Sequence, residues 1–227
     1  MTPFEQVLKK YRETSFSERD KGYRFEKLMK AFLQVYPLYE GKFASVWLWN
    51  EFPSRGDFGS GDKDLGIDLV AKTKEGDYWA VQCKCYQEDV LIDKPKVDTF
   101  LSTSGKSFYE RHAAFSGEIQ SISSPSPTAG RHTEEASSPS EPGKKINFAF
   151  RLWIDTTKKG FNSSAEATIK DQKPPVGRLG YFDLLKANVD WLKLAEGKKA
   201  DVKKYDPKLH QQTAIDDVHN YLKAHDR

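Results

Sequence analysis

The chain has 227 residues, 13% of them aromatic, which is enough apolar bulk for one sizeable domain with an appendage. Its 36 Lys and Arg against 33 Asp and Glu leave a formal charge of only +3, too small to mark a nucleic-acid binder by charge alone. The chain has no run of about 18 apolar residues, and its start has no apolar signal-peptide core, so a cytoplasmic protein with no membrane contact is expected.

In "SFSERDKGYRFEKLMKAFLQVYP", Ser15 and Glu18 have capping-box spacing, and Phe25, Leu28, Met29, Phe32, Leu33 and Tyr36 recur at helical intervals. This predicts a first helix ended by Pro37. Glu26 lies about 100° round from Phe25, near the border of the apolar stripe. "KFASVWLWNEF", residues 42–52, reads as a first strand, followed by the Gly- and Asp-rich loop "PSRGDFGSGDKD". Residues 65–72 and 77–86 are the next two strands. Asp93 is a good N-cap and Pro95 fits the first turn of a helix through Val97, Phe100 and Leu101.

Residues 116–145 hold Ser, Pro, Gly, Thr and Glu with almost no large apolar side chain; they cannot offset their ordering entropy and are expected to be a mobile insertion. "INFAFRLWIDTT" then reads as a buried central strand, and residues 163–170 as a helix. Pro174 and Pro175 stop that helix, "VGRLGYF" adds a short strand, and "DLLKANVDWLKLAE" small helical pieces. A Lys-rich linker is expected over 193–208. In the closing helix, Ala214, Ile215, Val218, Tyr221 and Leu222 follow helical spacing. No internal repeat is visible.

The second and third strands carry Asp68, Gln82 and Lys84 among otherwise apolar residues. If residues 74–76 form a three-residue hairpin loop with Gly76 in the left-handed region, Thr73 pairs with Asp77 and Asp68 faces Gln82. Lys84 is two residues further on the same strand, so all three side chains share one face. A lone Asp or Lys on a buried strand is costly, whereas a group around a hydrated divalent cation compensates both. The oxygens of Asp68 and Gln82 suit Mg²⁺, and the Lys84 ammonium suits a water and a phosphate. Cys83 and Cys85 share the other face of that strand; extended geometry does not suit a disulfide, and no zinc set accompanies them, so reduced, packed thiols are expected.

"GIDLVAK" followed by "VQCKCY", set in this element order, resembles the PD-(D/E)xK nuclease superfamily and, within it, the Mrr-like restriction endonucleases, in which Gln replaces the second acidic residue. The resemblance covers roughly residues 15–157. It implies an α/β fold, a restriction-endonuclease-like core of helix, three-stranded meander, helix and strand with a mixed central sheet. It also implies Mg²⁺-dependent hydrolysis of DNA phosphodiesters, with Asp68, Gln82, Lys84 and Glu26 as catalytic residues. Asp68, Gln82, the main-chain carbonyl of Cys83 and Glu26 would hold the metal. The tail "DPKLHQQTAIDDVHNYL" resembles the segment that opens superfamily 2 helicase motors, in which Gln211 would contact the nucleotide; the phosphate-loop motif itself occurs nowhere in this sequence.

Together these resemblances imply the amino-terminal piece of a helicase-coupled restriction-modification enzyme of the single-chain type ISP kind. Residues 1–192 would be the nuclease, 193–208 the linker and 209–227 the first motor helix. Double-stranded DNA, met mainly at phosphates, and the downstream helicase and methyltransferase domains would be its partners. ATP would enter only through the motor, and transient pairing of two nuclease copies for double-strand breaks stays open. Arg55 and Lys63 are candidate phosphate contacts. Asp57, Asp62 and Asp64 fit turns better than ligands. The blander reading of Asp68, Gln82 and Lys84 is a solvent-facing strand side with an Asp–Lys pair, and that of Glu26 an exposed helical glutamate. A different class of function is a nuclease-fold module that binds DNA or docks the motor without cutting. His112, His132, His219 and His225 show no ligand or nucleophile spacing.

Overall fold

The first element is one not anticipated above, helix α1 (Pro3–Thr14). Its signals are local: the Thr2 hydroxyl accepts the Glu5 N–H, the Glu5 carboxylate accepts the Thr2 N–H, and Pro3 stands in the first turn. Phe4, Val7, Leu8 and Tyr11 are all buried, one turn after another down a single face. In this computed structural model, residues 1–58, 66–110, 144–200 and 208–225 are described.

Helix α2 (Glu18–Val35) is the expected one, but its N-cap is Ser17, whose hydroxyl accepts the Asp20 N–H, and Ser15 instead closes α1 through its own N–H. Pro37 begins the short α3 (Pro37–Glu40). Strand β1 (Phe43–Leu48) is shorter than expected, because Trp49–Glu51 turns into a 3-10 helix and the Glu51 carboxylate accepts the Leu48 N–H. A second 3-10 turn covers Arg55–Phe58.

Strands β2 (Leu69–Thr73) and β3 (Tyr78–Lys84) form the predicted hairpin. Leu69 pairs with Val81 and Lys72 with Tyr78, Thr73 N–H donates to the Asp77 carbonyl, and Gly76 has φ +97. The register is therefore the one deduced from a left-handed Gly76. Helix α4 (Lys94–Ser104) follows Asp93 with Pro95 in its first turn. Strands β4 (Phe108–Tyr109) and β5 (Lys145–Ile146) make a separate two-stranded ribbon. The insertion expected over 116–145 falls outside the described residues except for its last two, of which Lys145 pairs with Tyr109.

Strand β6 (Phe148–Asp155) enters the main sheet parallel to β3, and after α5 (Ser163–Ile169) strand β7 (Val176–Leu179) joins parallel to β6. The sheet order is β1-β2-β3-β6-β7, antiparallel across the meander and parallel thereafter. This is the mixed sheet of the predicted helix–meander–helix–strand core.

Alternation along the strands divides the interior into two. Leu69, Ala71, Val81, Cys83, Leu152 and Ile154 pack with α1 and α2, and with α6 (Tyr181–Lys186) and α7 (Trp191–Ala195). Val70, Tyr78, Ala80, Phe148 and Trp153 pack on the other side with Val97 and Phe100 of α4, Ala165 of α5 and Phe108. Leu194, where the expected helical pieces overlap the expected linker, falls in α7, and Leu194 and Ala200 are 4% and 6% exposed and belong to the first core. Helix α8 (Leu209–His225) exposes Ile215, Val218 and Tyr221. No described helix is long and apolar enough to cross a membrane.

Candidate active site

The regular pairing of β2 ends at Leu69, and Asp68 just before it bridges both neighbours: its carbonyl accepts the Trp49 N–H and its N–H donates to the carbonyl of Val81, the partner of Leu69. Asp68 thus sits just before β2, with its side chain against that of Gln82. Its side chain is 9% exposed and Gln82 1%. The Asp68 Oδ2 accepts both the Gln82 Nε2–H and, at 2.6 Å, the Cys83 N–H. These two bonds offset the cost of burying the carboxylate. They also fix the Gln82 amide, which turns its NH₂ toward Asp68.

In a parallel ladder successive peptide groups point to opposite neighbours. The Lys84 carbonyl accepts the Thr156 N–H from the β6 side. The Cys83 peptide accordingly faces the β2 side, where its N–H already meets Asp68. Lys84, two residues after Gln82 on β3, is half-buried on the same face as Gln82. The segment leaving β3 is tied down tightly: the Tyr86 carbonyl accepts from Arg12 of α1 and from the Thr156 hydroxyl, and the Glu88 carbonyl accepts from the Lys158 N–H and the Thr157 hydroxyl.

Glu26 arrives differently from expectation. It lies on the second helix and belongs to the layer that covers the Cys83 face, not the Asp68 face. Its charge nevertheless reaches the strand end. Burial pushes the Cys83 thiol well above its ordinary pKa, the carboxylates of Asp68 and Glu26 push it further, and Lys84 opposes them. One buried sulfur thus feels all three charged residues from the predicted set. The thiol stays protonated and inert, and Cys83 and Cys85 are both free.

The other candidates separate. Asp57 accepts the Tyr109 N–H at 2.6 Å, tying its 3-10 turn to β4. Arg55 is exposed on that turn. Lys63, Asp62 and Asp64 lie outside the described residues. Gln211 accepts the Lys208 N–H through Oε1 at the start of α8, a helix-capping contact.

No group of three or more His, Cys, Asp and Glu among the described residues is placed to hold a metal. A cation here would rely on one carboxylate from the strands, the Gln82 amide, the Cys83 main-chain oxygen and water. Such a hard-oxygen set suits Mg²⁺, which keeps several waters and takes one or two carboxylates. What sequence reasoning missed is a second charged pair on the same face, Asp155 on β6 with Arg178 on β7, the Arg178 Nε donating to Asp155 Oδ2 at 2.7 Å.

No curated protein matches this chain. Among solved structures it is similar, over its whole length, to a chain of "ATP-dependent Type ISP restriction-modification enzyme LlaBIII bound to DNA", with a TM-score of 0.59 and 22% identity. It spans 11% of that chain, and at such identity the likeness speaks to fold alone. A family profile, Mrr_cat_2, described as restriction endonuclease, matches residues 34–201. That stretch runs from the end of α2 to just past Ala200; it contains Asp68, Gln82, Cys83 and Lys84 and leaves Glu26 outside. Because the match takes in well over half of the sequence and the sheet has the expected mixed order, the chain belongs to the Mrr_cat_2 restriction endonuclease family, with a PD-(D/E)xK-like core.

Proposed function

We propose that this chain is a Mg²⁺-dependent endodeoxyribonuclease domain that hydrolyses DNA phosphodiesters to leave a 5′ phosphate. The observation that carries the reading is the Asp68–Gln82 hydrogen bond at the mouth of the β2-β3 hairpin with Lys84 two residues further along the same face. When bound, Mg²⁺ would supply Lewis acidity and a more acidic water. Asp68, Gln82 and the Cys83 carbonyl would hold it, and Glu26 would add negative charge from the neighbouring layer. Lys84 would orient the attacking water and offset the charge that builds on the phosphoryl oxygens in the transition state. Arg55 and Lys63 would meet backbone phosphates, contacts that position DNA without reading its sequence.

The likeness to a type ISP enzyme and the tail motif support a further part of the proposal. The domain would act in the cytoplasm at the front of a helicase-coupled restriction-modification protein, with residues 209–227 opening the motor, Gln211 at its nucleotide and methyltransferase modules downstream. Because Leu194 and Ala200 join the core, the proposed nuclease unit extends to about residue 200 and the linker begins after it. A second reading, a nuclease-fold module that binds DNA without cutting, is favoured by one observation: Gln82 brings no charge, so Asp68 is the only carboxylate of the strand pair. Plasmid nicking decides between them. We expect nicking with Mg²⁺, none with a chelator, and none from Asp68→Ala; intact plasmid under all conditions, including in a longer chain supplied with ATP, would establish the second reading.

A further inference from the structure

We propose that Arg178 is a positioning residue for cleavage: by occupying the Asp155 carboxylate it prevents Asp155 from capturing Lys84, and so leaves the Lys84 ammonium for the phosphodiester. The inference rests on the role of Lys84 proposed above.

Lys84 and Asp155 are direct partners on the β3-β6 ladder. Paired residues of neighbouring strands lie about 4.8 Å apart with side chains on one face, well within the reach of a lysine. Asp155 is 0% exposed, and a buried carboxylate recruits whatever cation is near. Two are near, and the fold has chosen between them. Arg178 donates from Nε to Oδ2 at 2.7 Å and from Nη2 to Oδ1 at 3.0 Å, while the Thr157 N–H donates to Oδ1 at 3.0 Å. Three of the roughly four acceptor positions of the carboxylate are thereby filled, and its charge is matched by a fork of complementary shape.

The guanidinium has a slot made for it. It stacks over the Phe161 ring at 5.4 Å. A Cβ at Gly160 would come within 3.1 Å of it and one at Gly180 within 3.0 Å, so side chains are missing on both flanks where the guanidinium lies. The Asp155 hydrogen bonds hold Arg178 above its ordinary pKa, so it stays charged. Among the described residues Lys84 forms no ion pair, which is the state a phosphate-facing lysine needs. Lys84 and Asp155 are adjacent opposite charges, kept apart in function by a third residue.

The test uses the 227-residue chain and two readouts. One is plasmid nicking with Mg²⁺; the other is the crystal structure of each variant, which shows whether the Lys84 ammonium pairs with Asp155. Arg178→Gln frees one Asp155 oxygen. The Lys84 ammonium should then close on that oxygen in the crystal structure, and nicking should slow by about tenfold or more. In Asp155→Asn with Arg178→Gln, nicking should return to that of the wild type, and Asp155→Asn alone should cut within about threefold of it. A Lys84 ammonium that stays unpaired with Asp155 in the Arg178→Gln crystal structure overturns the proposal. So does a double variant as slow as Arg178→Gln, which would mean that Arg178 touches DNA or merely braces β7. Should Arg178→Gln fail to fold, Arg178→Lys, which cannot grip both oxygens as a fork, carries the same comparison. If the wild type does not cut, the nuclease reading fails and this proposal with it, whereas a cutting wild type whose Arg178→Gln variant leaves Lys84 unpaired overturns this proposal alone.

Discussion

Replacing Asp68 by Ala removes one acceptor and strands two donors, the Cys83 N–H and the Gln82 Nε2–H that both reach its Oδ2. An orphaned buried donor costs about 1–3 kcal/mol. Against this, a carboxylate only 9% exposed no longer has to be desolvated, a saving of several kcal/mol at most. The two terms largely offset, so we expect a net loss of no more than about 2 kcal/mol, or a fall in Tm of about 4–8 °C at the sensitivity usual for a domain of this size. That leaves a folded protein within the ordinary stability range. Function should respond far more sharply. Without its one strand carboxylate, the site keeps only neutral oxygens and Glu26 from the helix layer, and Mg²⁺ dehydrates too reluctantly to stay on those. Circular dichroism, calorimetric titration with Mg²⁺ and plasmid nicking should therefore show a modest Tm shift with loss of both binding and cleavage. An Asp68→Ala protein that is folded and still binds Mg²⁺ or nicks DNA at the wild-type level would refute the assignment of this end of the hairpin as the metal site.

Lys84→Ala should part from Asp68→Ala: Mg²⁺ still binds by calorimetry, because the oxygen ligands remain, while nicking falls about a hundredfold or more, the scale of a lost transition-state electrostatic group. Gly66 has φ +74, and a Cβ there would meet the Phe100 backbone nitrogen at 2.9 Å, so Gly66→Ala should cost about 2 kcal/mol or more and disturb Asp68 two residues on; thermal melting and Mg²⁺ titration measure both effects. Hydrogen bonds from the Thr2 N–H and then the Tyr181 hydroxyl hold the Glu5 carboxyl down from 4.5 to about 2. The stabilisation from this group is therefore present above its ordinary value and lost as pH falls through about 2. Glu5→Gln should show a flatter stability curve across that acid window in denaturant melts; an unchanged curve would mean that the α1-α6 tie contributes nothing.

The sequence by itself determined everything whose cause lies within a few residues. The β2-β3 register follows from a three-residue turn with a left-handed Gly76, and the period of two then puts Asp68, Gln82 and Lys84 on one face before any packing is known. The α2, α4 and β6 assignments rest on equally local patterns of capping and apolar spacing. Helix α1 belongs in this class as well, since Thr2, Pro3 and Glu5 announce it and Phe4, Val7, Leu8 and Tyr11 complete it.

Tertiary structure decided what distant segments do to one another. Nothing local shows that Leu194 and Ala200 dock into a core built from α1 and α2, because composition averages over a stretch while burial acts on single side chains. Nothing local shows that Glu26 reaches the strand end from the opposite layer, since a helix's apolar stripe fixes which way it faces but not where along the sheet it lies. The Asp155–Arg178 pair is the plainest case. Those residues are 23 apart in sequence and become neighbours of Lys84 only because β6 and β7 enter the sheet beside β3 in parallel, an order set by crossover packing that leaves no mark in the residues it brings together.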